Sequence, residues 1–269
     1  MNASSNFLAS DGASYEQVMG RWSRRLAEPF LDFAGAFSGE QILDVGCGTG
    51  SLAAALTRRF PAADVCAVDF SPVYIDYARR AAPDPRITFE VGDACALRFP
   101  ARRLDGVLAL LLLHFVPNPE RAIAEMRRVA KPGATVAAAV WDVRGGFVAN
   151  RMFYDTAAAL DPKAVERRAR NYTRPMTRPG ELINAWRAAG FADVVGASIP
   201  IRMEFAAFED YWSPYQSKDG PGAEYLASLN PAERARLKEA VRLAYVDGEA
   251  DGPRSYAALA WAVKGVVPG

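Results

Sequence analysis

Three aspartates and a run of glycines are the residues of this chain most suited to chemistry. In Leu43-Asp44-Val45-Gly46-Cys47-Gly48-Thr49-Gly50 an acid near the end of an apolar run is followed by alternating glycines. Glycine tolerates left-handed backbone and lets a ligand approach the main chain closely. Asp69 closes a second apolar run, Val65 to Asp69, and Asp93, in Gly92-Asp93-Ala94, follows a third. Each of these alone also fits a tight turn or a helix cap. Taken together they outline a ligand with hydroxyls for Asp69, an exocyclic amine for Asp93 and a positive charge for Asp44, which would repel a pyrophosphate. The position after the glycines is Ser51, not the glycine or alanine of the dinucleotide fingerprint, which disfavours a nicotinamide oxidoreductase.

Other candidates are less specific. His114 is the sole histidine, just past an apolar run, and suits either a general base or a packed core residue. Trp141, Phe147, Met152, Phe153 and Tyr154, with Tyr211, Trp212 and Tyr215, would wall an apolar pocket or bury one another. Arg167, Arg168, Arg170, Arg174 and Arg178 fit an acidic ligand, RNA or a solvated helix face.

The elements that position these residues alternate. Strands are expected at Gln41 to Val45, Val65 to Asp69, Ile87 to Val91, Asp105 to Leu113 and Ala134 to Trp141. Helices are expected at Ser51 to Phe60, from Ser71-Pro72 to Ala82, and from Asn118-Pro119 to Ala130, the last stopped by Lys131-Pro132-Gly133. Such alternation implies an α/β, doubly wound, mostly parallel sheet, with ligands beyond the carboxyl ends of its strands. Helical stretches follow at Phe147 to Leu160, Pro162 to Arg170 and Glu181 to Ala189, then a strand at Val194 to Ile201. A helix from Asn230-Pro231 to Ala244 and a closing strand at Arg254 to Val267 complete the chain. The organisation reads as a tail and cap helix (1–40), a binding core (41–141), a helical lid insertion (142–180) and a C-terminal part of the same domain (181–269), with residues 1–14 loose.

With 51% hydrophobic and 23% charged residues in 269, the composition is that of a globular protein. Lys and Arg (32) nearly balance Asp and Glu (31), so there is no overall field for a nucleic acid, and nucleic-acid partners are not expected. Three scattered cysteines suit a reducing cytoplasm and neither a disulfide framework nor a metal site. No apolar run is long enough to span a membrane, and the first ten residues lack the pattern of a signal peptide.

An adenosine-bearing, cationic, phosphate-free ligand is S-adenosylmethionine (SAM). LDVGCGTG, AVDFS, GDA, LLHFVPNPERAIAEMRRVAKPG and the strand ending VWD resemble, in order and spacing over roughly residues 41–141, the class I SAM-dependent methyltransferases. Within them the chain is similar to the small-molecule branch that includes ubiquinone/menaquinone-biosynthesis-type enzymes. The resemblance implies a seven-stranded Rossmann-like sheet with its last strand antiparallel, and S-adenosylhomocysteine as product. It implies that Gly46, Cys47 and Gly48 approach the cofactor and that Asp44 orients its ammonium, faced by the backbone near Leu110. Asp69 would hold the ribose hydroxyls, Phe70 would lie against adenine, and Asp93 with the Ala94 amide would read the adenine edge. Tyr15 would cover the methyl and Arg21 would pair with the methionine carboxylate; otherwise that segment is an amphipathic helix packing Trp22. Two departures are Ala109-Leu110 where many relatives have Ser-Asn, and Gly133-Ala134 where they have Gly-Gly. The expected reaction is in-line methyl transfer to an oxygen or carbon of a small, partly apolar acceptor, with catalysis mainly by positioning. RNA methylation and non-catalytic SAM binding are the alternatives; the acceptor and the oligomeric state stay open.

Overall fold

The computed structural model describes residues 11–37, 39–217 and 220–269. The chain opens with α1 (Gly12–Tyr15), one π-helical turn (Glu16–Gly20) and α2 (Arg21–Ala34). Five strands and three helices then alternate: β1 (Gln41–Val45), α3 (Ser51–Arg59), β2 (Asp64–Asp69), α4 (Pro72–Ala81), β3 (Ile87–Val91), β4 (Leu104–Leu110), α5 (Pro119–Val129) and β5 (Ala130–Trp141). The second half holds α6 (Val148–Leu160), α7 (Pro162–Tyr172), α8 (Glu181–Ala188), β6 (Ala192–Phe205), α9 (Phe208–Trp212), α10 (Pro221–Ser228), α11 (Pro231–Val246) and β7 (Arg254–Val266).

Local chemistry accounts for most of these boundaries. Ser71 Oγ accepts from the Tyr74 N–H (3.3 Å) and Asn118 Oδ1 from that of Arg121 (3.2 Å), each just ahead of a proline that opens the helix. Asn230 and Glu233 form a reciprocal capping box at the start of α11. The expectation of a loose segment through residue 14 is corrected for residues 11–14. Asp11 caps α1 by accepting from the Ala13 and Ser14 N–H groups (3.2 Å each), and Gly12 packs so closely on Tyr77 that a Cβ would sit 2.5 Å from it. Residues 1–10 lie outside the described residues.

The seven strands form one sheet in the order β3-β2-β1-β4-β5-β7-β6. All neighbouring pairs are parallel except those of β7, which runs antiparallel to β5 and β6. This is the expected doubly wound sheet, its topological switch lying between β1 and β4. Leu26, Phe30, Leu56 and Ile75 pack on one face from α2, α3 and α4. Ile123, Met126 and Trp186 pack on the other from α5 and α8. β4, buried along its whole length, has the apolar run that a strand covered on both faces requires.

Two strands differ from their expected limits for reasons that shape the site. β4 stops at Leu110 because Leu111 turns to a left-handed φ of +61°, and Leu113–Phe115 form a single 3-10 turn. β6 runs past Ile201 to Phe205. β5 pairs with β7 only as far as Trp141 opposite Ala260, and beyond that point β6 and β7 continue as a two-stranded ribbon, Ile201 opposite Ala258 to Phe205 opposite Arg254. The ribbon is stabilised by aromatic packing, with Phe205 5.3 Å from both the Trp22 and Tyr211 rings.

Candidate functional site

The glycine turn lies at the carboxyl end of β1, beside the switch point. Gly46, Gly48 and Gly50 all have positive φ (+73°, +53°, +90°), which is what the alternating glycines supply. The Gly46 and Cys47 N–H groups both donate to the Val68 carbonyl (2.7 and 3.0 Å), fixing the turn against β2. Asp69 then locks it: Oδ2 accepts from the Gly48 N–H and Oδ1 from the Ser71 N–H, both at 2.9 Å. These bonds lower the Asp69 pKa, but burial outweighs them and the carboxyl stays raised.

Asp44 is the unusual group. It is 1% exposed, and its carboxylate oxygens meet no hydrogen-bond donor of good geometry among the described residues, the Ala53 backbone N–H being the donor that approaches them. Burial, with the nearby charge of Asp69 second, pushes its pKa up to about 8. A buried acid left without a donor is costly unless something else supplies a charge or a proton.

In front of the turn, Gly46, Gly48, Asp69, Phe70, Gly92, Ala94 and Leu110 line a cleft. Phe70 lines it while 51% exposed. Asp44, Cys47 and Asp93 are not part of this lining; Asp93 Oδ1 accepts from the Cys95 N–H (2.7 Å), so it forms the turn that presents Ala94. Cys47 is buried, its Sγ 3.8 Å from the Gly48 carbonyl, and burial raises its pKa.

A second, more apolar cavity lies alongside. Tyr15, Leu111 and Phe115 line both, so these three side chains form the partition between them. The Tyr15 ring sits 4.9 Å from that of Tyr74, and a Cβ on Gly48 would lie 3.7 Å from its phenol oxygen. The π-helical turn that carries the chain past Tyr15 is tied to the glycine loop, because Glu16 accepts from Thr49 Oγ1 and from Arg24.

Of the aromatic residues expected to wall a pocket, Trp141, Phe147, Tyr154 and Tyr211 line this second cavity. Phe153 and Trp212 do not, which corrects their assignment. Both are at most 1% exposed, and Phe153 stacks on Tyr215 at 3.9 Å, leaving Tyr215 rather than Phe153 facing the space. Arg21 is also corrected. Its Nη1 donates to Asp210 Oδ1 (2.8 Å) and its guanidinium lies 4.3 Å over the Trp22 ring, on the second cavity and not on the cleft.

His114, on the 3-10 turn, lines the second cavity, is 3% exposed, and has Nδ1 without a partner among the described residues. Burial, then the charge of Arg174, holds its pKa well below the usual histidine value. The electrostatics therefore run against its expected role as a base: an imidazolium there would be dry and beside a guanidinium.

Sequence reasoning missed Leu111, Asn150, Asn171, Met203 and Phe205 as lining residues. The left-handed Leu111 gives no sequence signal, and the two asparagines lie in helices whose facing the alternation does not set. No group of histidine, cysteine or acidic side chains among the described residues could hold a metal ion. None of their helices is long and apolar enough to cross a membrane.

Residues 42–133 match the model of a family described as a methyltransferase domain. Over 168 residues the chain is 32% identical to a demethylmenaquinone methyltransferase of Clavibacter sepedonicus, covering 58% of this chain and 67% of that protein. It is 41% identical over 123 residues to the demethylmenaquinone methyltransferase of Renibacterium salmoninarum, covering 44% of this chain and 47% of that one. The chain spans about half the length of several curated relatives it matches. Among solved structures, the Haemonchus contortus phosphoethanolamine N-methyltransferase 2, in complex with phosphomonomethylethanolamine and S-adenosylhomocysteine, superposes with a TM-score of 0.58 at 18% identity. It matches 96% of this chain and 57% of that chain, a likeness of fold.

Proposed function

The chain belongs to the class I SAM-dependent methyltransferases, and from that membership we propose that it transfers a methyl group from SAM to an oxygen or carbon of a small, partly apolar molecule. One observation carries the reading: Asp44, a carboxyl buried at the end of β1 beside the positive-φ glycine turn with only the Ala53 backbone N–H approaching it. An ammonium is the group that such a carboxylate lacks, and a phosphate is the group it would repel.

The residues present fit the cofactor. Asp69 uses its oxygens on two backbone N–H groups and keeps further acceptor capacity toward the cleft, where ribose hydroxyls would donate. Phe70 offers a face to adenine, and the Ala94 amide, set by the Asp93 turn, offers a donor to its edge. SAM brings a methyl on an already activated sulfonium, so the protein has only to align, desolvate and hold.

The second cavity is the natural acceptor site. Tyr15, Leu111 and Phe115 are the side chains past which the methyl would move. Its walls are largely aromatic, and α6 contributes Tyr154 and α7 contributes Asn171 to them, as the lid that the insertion implies. His114 serves as a neutral hydrogen-bonding group and takes up no full proton, so an acceptor that already carries nucleophilic electron density suits it.

RNA is not favoured. Arg168 pairs with Asp155, Arg170 with Glu166 and Arg178 with Glu181, so the basic segment is largely neutralised by its own neighbours. Cys47, Cys66 and Cys95 are free thiols, in keeping with a cytoplasmic setting.

Calorimetric titration with S-adenosylhomocysteine tests the reading. Micromolar binding is expected for the wild type, weakened by at least about tenfold in Asp69→Ala, where one or two hydrogen bonds of a charged acceptor are lost. Absence of binding to the wild type would sink it. Binding without methyl transfer across broad acceptor panels would leave a non-catalytic SAM-binding protein.

A further inference from the structure

Resting on the reading of the second cavity as the acceptor site, we infer that Arg174 is its specificity residue and that the acceptor carries a carboxylate, which Arg174 holds at the cofactor-facing end of an otherwise apolar slot. Arg174 follows α7 and lines the cavity. Among the described residues it has no carboxylate within ion-pair distance, unlike Arg168, Arg170 and Arg178 of the same segment. Its Nε donates to Asn171 Oδ1 (3.2 Å), which orients the guanidinium and uses neither terminal amino group.

The same guanidinium stacks over the Phe115 ring at 4.5 Å. Phe115 is part of the partition between the two cavities, so the cation lies at the end of the acceptor cavity that faces the cofactor cleft. Burial depresses the Arg174 pKa, offset only in part by Tyr154 and the charge of Glu224, so the cation is withdrawn from water without a paired carboxylate. Two parallel N–H donors on a planar fork match the two oxygens of a carboxylate; a single phenolate oxygen would leave one donor unused.

The surrounding polar groups agree with an anionic occupant. His114 Nδ1 is buried and unpartnered. Asn171 Nδ2 donates to Asn150 Oδ1 (2.9 Å), so the two asparagines hold each other and, through Asn171 Oδ1, orient Arg174. The rest of the slot is mostly apolar, with Met19, Trp22, Met203 and Phe205, and its other guanidinium, Arg21, is already paired with Asp210. A flat or extended hydrocarbon body with one carboxylate is the molecule that satisfies both ends.

The test titrates 2-naphthoate and its neutral isostere 2-naphthamide into the full-length protein, with and without saturating S-adenosylhomocysteine. The wild type should bind the naphthoate at least about tenfold more tightly than the amide, the range for a charge-assisted hydrogen-bonded pair. Arg174→Gln should abolish that preference, Arg174→Lys should keep part of it, and neither should change S-adenosylhomocysteine affinity. Both variants should melt no lower than the wild type, since each removes or shrinks an unpaired cation. Equal binding of the two probes, binding of neither, a preference that survives in Arg174→Gln, or collapse of both variants would each overturn the inference. Naphthoate preference in a protein that does not bind S-adenosylhomocysteine would uphold Arg174 as a carboxylate anchor while removing the methyltransferase reading.

Discussion

Asp44 and His114 are buried ionisable groups with opposite pH signatures. The Asp44 carboxyl is raised to about 8, far above an unfolded aspartate. Between those two values the unfolded chain has released its proton and the native protein has kept it, so stability is present at low pH and lost as pH rises through about 8. The raised Asp69 adds the same sign. His114, with its pKa depressed, works the other way: stability is lost as pH falls below about 6.5, because only the unfolded chain then gains the proton. The two effects oppose below about 6.5, and from there to about 8 the Asp44 effect is no longer offset by His114, at up to about 1.4 kcal/mol per pH unit. Thermal melts across that window should show Tm falling with pH in the wild type and a much flatter curve in Asp44→Asn. A wild-type curve as flat as the variant's would mean that Asp44 has a partner after all.

At the scale of elements, the strand ends and helix caps are what hold the carboxylates and the glycine turn in register, and each is set by a few adjacent residues. The second cavity is built differently, from the β6–β7 ribbon, α6, α7 and the helical layer of α9 to α11. That layer is held by aromatic packing: Trp212 lies 5.9 Å from Phe208, and Tyr211 donates to the Ala149 carbonyl (2.8 Å). Phe153 and Trp212 are therefore supports. Phe153→Ala and Trp212→Ala should each cost about 3–5 kcal/mol of folding free energy in chemical denaturation, as large buried truncations do. S-adenosylhomocysteine affinity should be unchanged below the unfolding transition. A variant of normal stability that loses only acceptor binding would return its residue to the pocket wall.

At the scale of the whole molecule, the N-terminal segment joins everything. Glu16 reaches the glycine loop through Thr49, Arg21 reaches the C-terminal helical layer through Asp210, and Tyr15 separates the two cavities. The Arg21–Asp210 pair is about a third exposed on each side and contributes at most about 1 kcal/mol, so the segment is held by several modest contacts. A π-helical turn between α1 and α2 is a place where such a segment can rearrange. Cofactor bound beneath it should hold it down. Hydrogen–deuterium exchange should slow across residues 12–20 when S-adenosylhomocysteine is added, with α11 as an unaffected reference. Equal exchange with and without the ligand would separate this segment from the cofactor site.

The amino-acid sequence alone determined the doubly wound core and the aspartate–glycine array at its strand ends. A strand, its terminal acid, the turn and the next helix cap are neighbours in the chain, so local chemistry specifies them together. Asp44, Gly46, Gly48 and Asp69 were legible for that reason. Only the tertiary structure decided which aromatic residues face the cavity, that Arg21 belongs to Asp210, that Leu111 is left-handed and that Arg174 alone of its cluster lines the cavity. Arg21 and Asp210 are 189 residues apart. Burial and pairing of this kind are mutual properties of distant segments, settled only when the β6–β7 ribbon and the helices pack against the N-terminal segment.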